Sequence, residues 1–135
     1  MKSITVPPTK ESPNPVTEFV VGELEQHDCP AKVIYQIQVA IEEIMVNIVS
    51  YAELTEDDNI EVRCGVYEDP LRVELQFLDG GIPFDPLAAE DADTSPEALM
   101  NREGGLGILL VKKMMDDVSY EYKDGKNTLT ILKNL

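Results

Sequence analysis

The sequence predicts an α+β fold, a two-layer sandwich in which helices cover one face of a mostly antiparallel sheet. Two segments in the middle of the chain alternate apolar and polar residues, which is typical of strands covered on one face only. Two earlier segments repeat apolar residues every three or four positions, which indicates helices. Short turns separate the expected strands, so that hairpins dominate the order of elements.

The N-terminal part predicts one strand and two helices. Residues 3–7 form a short expected strand, and the proline-rich run after it leads into a helix over Val16–His27. A second, longer helix is expected over Ala31–Ala52. Its apolar face is defined by isoleucines at positions 34, 37, 41, 44 and 48.

A strand pair follows, with strands at 60–66 and 71–77 joined by a turn at 68–70. The stretch 79–103 has no convincing period, and stretches of this length inside a compact domain are usually functional lids or disorder.

The C-terminal part predicts one helix and a second strand pair. The helix is expected from about Gly105 to Asp117. Strands at 118–122 and 128–132, joined by a turn at 124–127, complete the expected sheet.

Length and charge limit the possible functions. The 135 residues fit a single domain spanning 1–135, with one hydrophobic core. A net charge of −15 disfavours binding to nucleic acid or to anionic membranes. Two cysteines make no disulfide framework and the start has no long apolar core, so a cytoplasmic protein without a signal peptide is expected.

Polar residues in the second helix form the first candidate site. Glu43 and Asn47 are four positions apart and therefore lie on one face. Asparagine is unfavourable inside a helix because its side chain competes for backbone hydrogen bonds. Either a buried structural partner or a ligand such as hydrated Mg²⁺ would explain Asn47.

Glycines mark two further candidates. Asp79 ends a strand and is followed by Gly80 and Gly81, which suits either a tight turn or a close approach of the backbone to a ligand. The run Gly104–Gly107 opens a helix, where free amides can hold phosphate. Without a following Gly-Lys-Ser/Thr, this run is not a Walker A motif. Glycines at a helix start also often mark only the boundary of the helix and bind no ligand.

Together these motifs resemble the Bergerat-fold ATPases, which include gyrase, histidine kinases and mismatch-repair ATPases. The pattern is Glu43-x-x-x-Asn47, Asp79-x-Gly81-x-Pro83, the glycine run and Thr128. Two features resemble the anti-sigma-factor serine kinases more closely: Phe-Asp-Pro after the aspartate motif, and the run Gly-Gly-Leu-Gly-x-x-Leu-Val that continues into Met-Asp-Asp-Val at 115–118.

This resemblance implies a role for each matching residue. Asn47 would coordinate Mg²⁺, Glu43 would be the general base, and Asp79 would accept a hydrogen bond from the adenine amino group of ATP. The remaining implied nucleotide contacts are Gly81, Pro83, Arg102, Gly104, Gly105, Leu106, Gly107 and Thr128, with an ATP lid at about 86–103.

The resemblance also implies partners. The chain would phosphorylate a serine or threonine of an anti-anti-sigma (STAS-type) protein and sequester a sigma factor, and a homodimer is the assembly that the resemblance implies. A binding switch without phosphotransfer is the alternative, because Arg102 is the one basic residue of the acidic lid. A histidine-kinase catalytic domain fits less well, because no dimerisation hairpin precedes the sole histidine, His27.

The chain departs from the family pattern at two positions. Pro83 stands where many relatives have a second glycine, and Tyr51 stands where a histidine is common.

Overall fold

The computed structural model describes residues 1–68, 70–87 and 106–135. It contains a five-stranded sheet in the order β1-β2-β3-β5-β4, and every neighbouring pair is antiparallel. The strands are β1 Lys2–Val6, β2 Ile60–Tyr67, β3 Arg72–Asp79, β4 Asp117–Lys123 and β5 Lys126–Asn134. The predicted α+β class is confirmed.

Three helices accompany the sheet, α1 Pro13–Glu25, α2 Ala31–Tyr51 and α3 Leu106–Met114. The central helix α2 packs against both α1 and α3. Its buried side chains include Ile37, Ile41 and Ile44 from the predicted isoleucine face, and all three are fully buried. The period of three and four therefore identified the face that packs into the core.

The strands bury one face against the helices. In β3, Val73, Leu75 and Phe77 are buried, while the alternate residues Glu74 and Gln76 are half-exposed. In β5, Leu129 and Ile131 are buried in the same alternation. Because successive side chains of a strand point to opposite faces, Asp79 and Asn127 continue this buried face toward one edge of the core.

The last hairpin is tighter than the sequence suggests. The expected turn at 124–127 is a two-residue turn, Asp124 and Gly125, with φ of 54° and 76°. Positive φ at both central residues is what a type I′ hairpin requires. Strand β5 therefore begins at Lys126, two residues before its expected start, and this brings Asn127 into the sheet.

Helix α1 also begins earlier than expected, at Pro13, because proline is favoured in the first turn of a helix. Helix α3 ends at Met114, before the expected Asp117, because Asp117 pairs with Leu132 at the start of β4.

Among the helices of the described residues, α2 is the one long and apolar enough to cross a bilayer by length and composition. It also carries Glu42, Glu43 and Asn47, and its isoleucine face is buried in the core of the domain.

Candidate functional site

A small cavity lies between α2 and the ends of β3 and β5. Apolar side chains from these elements form most of its walls, including Ile44, Phe77 and Leu129. Its polar wall consists of Asn47, Asp79, Tyr120 and Asn127. The fold therefore brings Asn47 and Asp79, two residues singled out in the sequence, to one cavity.

Asp79 presents a buried carboxylate to this cavity, with only 4% of the residue exposed. Its Oδ1 accepts hydrogen bonds from Gly81 N at 2.9 Å and from Asn127 Nδ2 at 3.0 Å. Its Oδ2 has no hydrogen-bond partner among the described residues. A buried carboxylate with one oxygen held and the other unpaired is a ready acceptor for a donor in the cavity.

Asn127 holds the polar wall together. Its Nδ2 donates to Asp79 Oδ1 and to Ile82 O at 2.7 Å, and its Oδ1 accepts from Phe84 N at 3.0 Å and from the Tyr120 hydroxyl. These contacts use both donors and both lone pairs of the amide. The buried Asn127 side chain is thus fully satisfied.

Asn127 is a functional residue that the sequence pattern did not indicate, because it was expected in a turn. Two signals could have found it. Asp124-Gly125 is a strong two-residue hairpin signal, and counting back from Ile131 and Leu129 by twos places Asn127 on the buried face.

Asn47 contrasts with Asn127. It is 8% exposed, yet within the described part of the chain its side-chain amide has no hydrogen-bond partner. Leaving a buried amide unpaired costs roughly 1–3 kcal/mol. Of the two explanations open at the level of sequence, a structural partner for Asn47 is therefore not found among the described residues.

Glu43 lies one helical turn from Asn47 and meets the start of α3. A Cβ placed on Gly107 would lie 2.0 Å from Glu43 Oε2, so a larger residue would displace this carboxylate from its position. Helix-start amides have no acceptors within their own helix. The carboxylate of Glu43 therefore lies beside the first turn of α3, one helical turn from Asn47, although Glu43 is not part of the cavity wall.

Gly81 is required by the backbone of α2. A Cβ at this position would lie 2.1 Å from Ala52 O, and the next residue, Ile82, donates its N–H to the same oxygen at 3.1 Å. The loop after β3 therefore closes against the C-terminus of α2 through a contact that a side chain would prevent.

Aromatic rings close the cavity. Phe84 stacks on Tyr51 with ring centroids 5.5 Å apart and an interplanar angle of 21°. The free space in the cavity is about 20 Å³, which holds one water molecule. Phe84 is part of the wall that limits this space.

Tyr120 completes the polar wall. Burial raises the pKa of Tyr120, and the negative charges of Asp85 and Asp79 act in the same direction. The hydroxyl therefore keeps its proton near neutral pH and acts as a donor to Asn127.

Other candidates lie elsewhere. Thr128 lies between Asn127 and Leu129 on β5, and successive side chains of a strand point to opposite faces. Its side chain therefore lies on the sheet face away from the cavity. Pro83 is exposed and is not part of the cavity wall. Arg102, Gly104 and Gly105 lie outside the described residues, as do 88–103 of the expected lid, and of Leu106 only the backbone, which begins α3, is described.

Within residues 1–68, 70–87 and 106–135, no group of three or more His, Cys, Asp or Glu side chains could hold a metal ion. A divalent cation at this site would therefore rely on one or two protein oxygens and on its ligand, the pattern that Mg²⁺ shows with bound phosphates.

The fold and the polar cavity define the class of protein. The family model for the histidine kinase-like ATPase domain matches residues 6–133, and the chain belongs to this family. The expected resemblance to Bergerat-fold ATPases is thereby confirmed.

Particular relatives are serine-protein kinases named RsbW. The chain is 37% identical over 98 residues to one from Listeria monocytogenes, a match that covers 68% of this chain and 60% of the relative. It is 31% identical over 102 residues to one from Bacillus cereus, covering 71% and 61%. The matched part thus spans about 60% of the length of these relatives.

The fold also matches a solved structure. The crystal structure of the RsbU and RsbW domains of a Mycobacterium tuberculosis protein superposes with a TM-score of 0.69 at 16% identity. The match covers 100% of this chain and 33% of the other. At this identity the likeness establishes the fold.

Proposed function

We propose that this chain binds Mg-ATP and transfers phosphate to a serine or threonine of a regulatory partner protein. The observation that carries this proposal is the buried carboxylate of Asp79, which is held through Oδ1 and lies in the same cavity as the amide of Asn47. Neither Asp79 Oδ2 nor the Asn47 amide has a hydrogen-bond partner within the described part of the chain. A base with an exocyclic amino group supplies the donor that Oδ2 lacks. The apolar walls suit the faces of that base.

The phosphates belong at the polar end of the site. Asn47 would hold Mg²⁺ through its amide oxygen, and the metal would offset the negative charge that the phosphates bring to this acidic protein. The first turn of α3, beside Gly107, offers amides for phosphate oxygens. Arg102, Gly104, Gly105 and Leu106 remain proposed contacts from the family pattern.

Glu43 is the proposed general base. Its carboxylate lies against Gly107, close to where the phosphates would bind, and has no hydrogen-bond or ion-pair partner among the described residues. In the transfer step, the hydroxyl oxygen of the partner would bond to the γ-phosphorus while the bond from that phosphorus to ADP breaks. A carboxylate oxygen of Glu43 would accept the proton that the hydroxyl loses.

The similarity to the RsbW serine-protein kinases supports a protein substrate. We propose that the hydroxyl belongs to an anti-anti-sigma protein of the STAS type, and that the chain sequesters a sigma factor in the cytoplasm as a homodimer. The net charge of −15 supports protein partners over nucleic acid.

Calorimetric titration with ATP, with and without Mg²⁺, tests nucleotide binding. Saturable binding is expected in the native chain. Asp79→Asn should weaken ATP binding about 100-fold, because the NH₂ group of the new amide would face another hydrogen-bond donor in either orientation. That donor is the amino group of the base in one orientation, and Gly81 N and Asn127 Nδ2 in the other. Asn47→Ala should remove the Mg²⁺ dependence. No binding at millimolar ATP would contradict the proposal.

Phosphotransfer is tested with labelled ATP and STAS-type proteins from the same organism. Glu43→Gln keeps the size of the side chain but removes the proton acceptor, so transfer should fall by about 10²–10⁴-fold while ATP affinity changes little. Glu42→Gln is the matched control, since Glu42 is exposed on the same helix. Unchanged transfer in Glu43→Gln would refute the assignment of Glu43.

A binding switch without transfer is the second candidate. None of the described residues that line the cavity is lysine or arginine, although such cations usually stabilise the transferring phosphoryl group. If partner binding depends on ATP but no label moves to any STAS-type protein, this second function replaces the first.

A further inference from the structure

The structure assigns Asn127 as a positioning residue that holds the carboxylate of Asp79 and so sets base selectivity, an inference that rests on the proposed nucleotide-binding function. Asn127 Nδ2 lies 3.0 Å from Asp79 Oδ1. The carboxylate is thereby oriented with Oδ2 as its remaining acceptor.

The orientation of Asn127 is itself determined by its neighbours. Its two donors are used by Asp79 Oδ1 and Ile82 O, and its oxygen is used by Phe84 N and the Tyr120 hydroxyl. Turning the amide over would place its NH₂ group against two donors and its oxygen against two acceptors. The Asn127 side chain therefore has one favourable orientation.

Among the described residues, Asp79 has one other hydrogen-bond partner, Gly81 N at 2.9 Å, which binds the same oxygen. Without Asn127, one bond from an adjacent loop would hold the carboxylate, which could then turn or take up water. An acceptor discriminates against a mismatched base only while it cannot turn away or be hydrated. Asn127 therefore governs the preference for a base that carries an amino group.

The same amide connects base recognition to the loop after β3. Ile82 O and Phe84 N are both tied to Asn127, and Phe84 stacks on Tyr51 over the cavity. The Asn127 side chain on β5 therefore helps to position both Asp79, which would contact the base, and the ring of Phe84.

The test compares ATP with inosine triphosphate, which has a carbonyl oxygen where ATP has the amino group. Both are titrated calorimetrically into the native chain, Asn127→Ala and Thr130→Ala, with thermal unfolding recorded for each variant. Thr130 lies on the same strand, with its side chain on the other sheet face, and serves as the control.

Native protein and Thr130→Ala should prefer ATP to the same extent. Asn127→Ala should weaken ATP binding about 10-fold and reduce the ATP preference by a similar factor. A purely structural role would weaken both nucleotides equally, so an unchanged ratio in folded Asn127→Ala overturns the inference. Native protein that binds neither nucleotide would instead contradict the proposed function.

A measurement on native protein avoids any folding defect. Exchange of side-chain amide protons with solvent is followed by NMR for Asn127 and for Asn59, whose side chain is exposed. Both protons of Asn127 should exchange much more slowly than those of Asn59. Equal rates would overturn the inference.

Discussion

The two ends of the cavity differ in how their polar groups are paired. At the base end, Asp79 and Asn127 are bonded to each other and to the loop after β3. At the other end, called the phosphate end after its proposed role, Asn47 is buried and has no hydrogen-bond partner among the described residues. Glu43, one helical turn away beside Gly107, also has no such partner there, although it is not part of the cavity wall. The polar groups at the base end thus hold one another and leave Asp79 Oδ2 open, while those at the phosphate end are not paired within the described residues.

This difference indicates how the two ends contribute. Groups that are already paired and oriented favour selectivity, since a mismatched ligand leaves buried polar atoms unsatisfied. Groups that are unpaired lower the stability of the free protein and recover that free energy when a ligand binds. We therefore expect selectivity to depend on the base end and metal dependence on the phosphate end.

The largest effect should come from Gly81→Ala at the base end. Its Cβ would lie 2.1 Å from the backbone oxygen of Ala52, so the loop must move away from α2 and take Gly81 N away from Asp79. We expect ATP affinity to fall by about 100-fold, within the range of overpacking costs.

The matched control for that change is the adjacent glycine. Gly80→Ala meets nothing within 4 Å and should change ATP affinity by less than about twofold. Calorimetric titration measures both variants. Equal losses in the two variants would show that the contact with Ala52 does not shape the site.

The second effect compares two buried asparagines by their free energies of unfolding. Asn127→Leu removes the hydrogen bonds that Asn127 makes to Ile82 O and Phe84 N, leaves Asp79 with Gly81 N alone, and should lower stability by about 2–4 kcal/mol. Asn47→Leu removes an unpaired amide from an apolar face and should leave stability unchanged or raise it by about 1 kcal/mol.

Urea unfolding of the ligand-free protein measures this second effect. If Asn47→Leu is as destabilising as Asn127→Leu, the Asn47 amide is paired in the free protein and the contrast between the two ends fails.

The smallest effect is expected at the phosphate end. In Gly107→Ala the new Cβ would lie 2.0 Å from Glu43 Oε2, so this flexible carboxylate must rotate away. We expect the rate of phosphotransfer or ATP hydrolysis to fall about 10-fold because the base is misplaced, with ATP affinity changed less than about threefold.

Gly22→Ala controls for the general effect of replacing a helical glycine, since nothing lies within 4 Å of the new Cβ in α1. It should raise stability by roughly 0.5–1 kcal/mol without altering turnover. A Gly107→Ala variant with native turnover would show that the position of Glu43 at Gly107 is not needed for chemistry.

Much of the fold could be predicted from the sequence because its signals are local. The isoleucine spacing of α2 and the alternation in β2 and β3 each report a buried face within one element. Asn47 and Asp79 could be singled out for a similar reason, since each is a polar residue that interrupts an apolar pattern.

The rest of the site depends on contacts between distant parts of the chain. Thr128 was expected at the nucleotide, but the tight turn at Asp124 and Gly125 extends β5 and makes Asn127 the residue that faces the cavity. A shift of the strand register by one residue exchanges the two faces of a strand. No pattern within β5 shows which polar groups the side chain of Asn127 will contact.

The sequence by itself determined the fold class, the buried faces of the elements and the polar residues that interrupt them, because hydrophobic periodicity acts over a few residues. Only the tertiary structure decided that Asp79 is held at one oxygen, that Asn47 finds no hydrogen-bond partner among the described residues and that Phe84 stacks on Tyr51 beside the cavity. These features depend on distances between separate elements, and side-chain pairing is determined only when those elements pack.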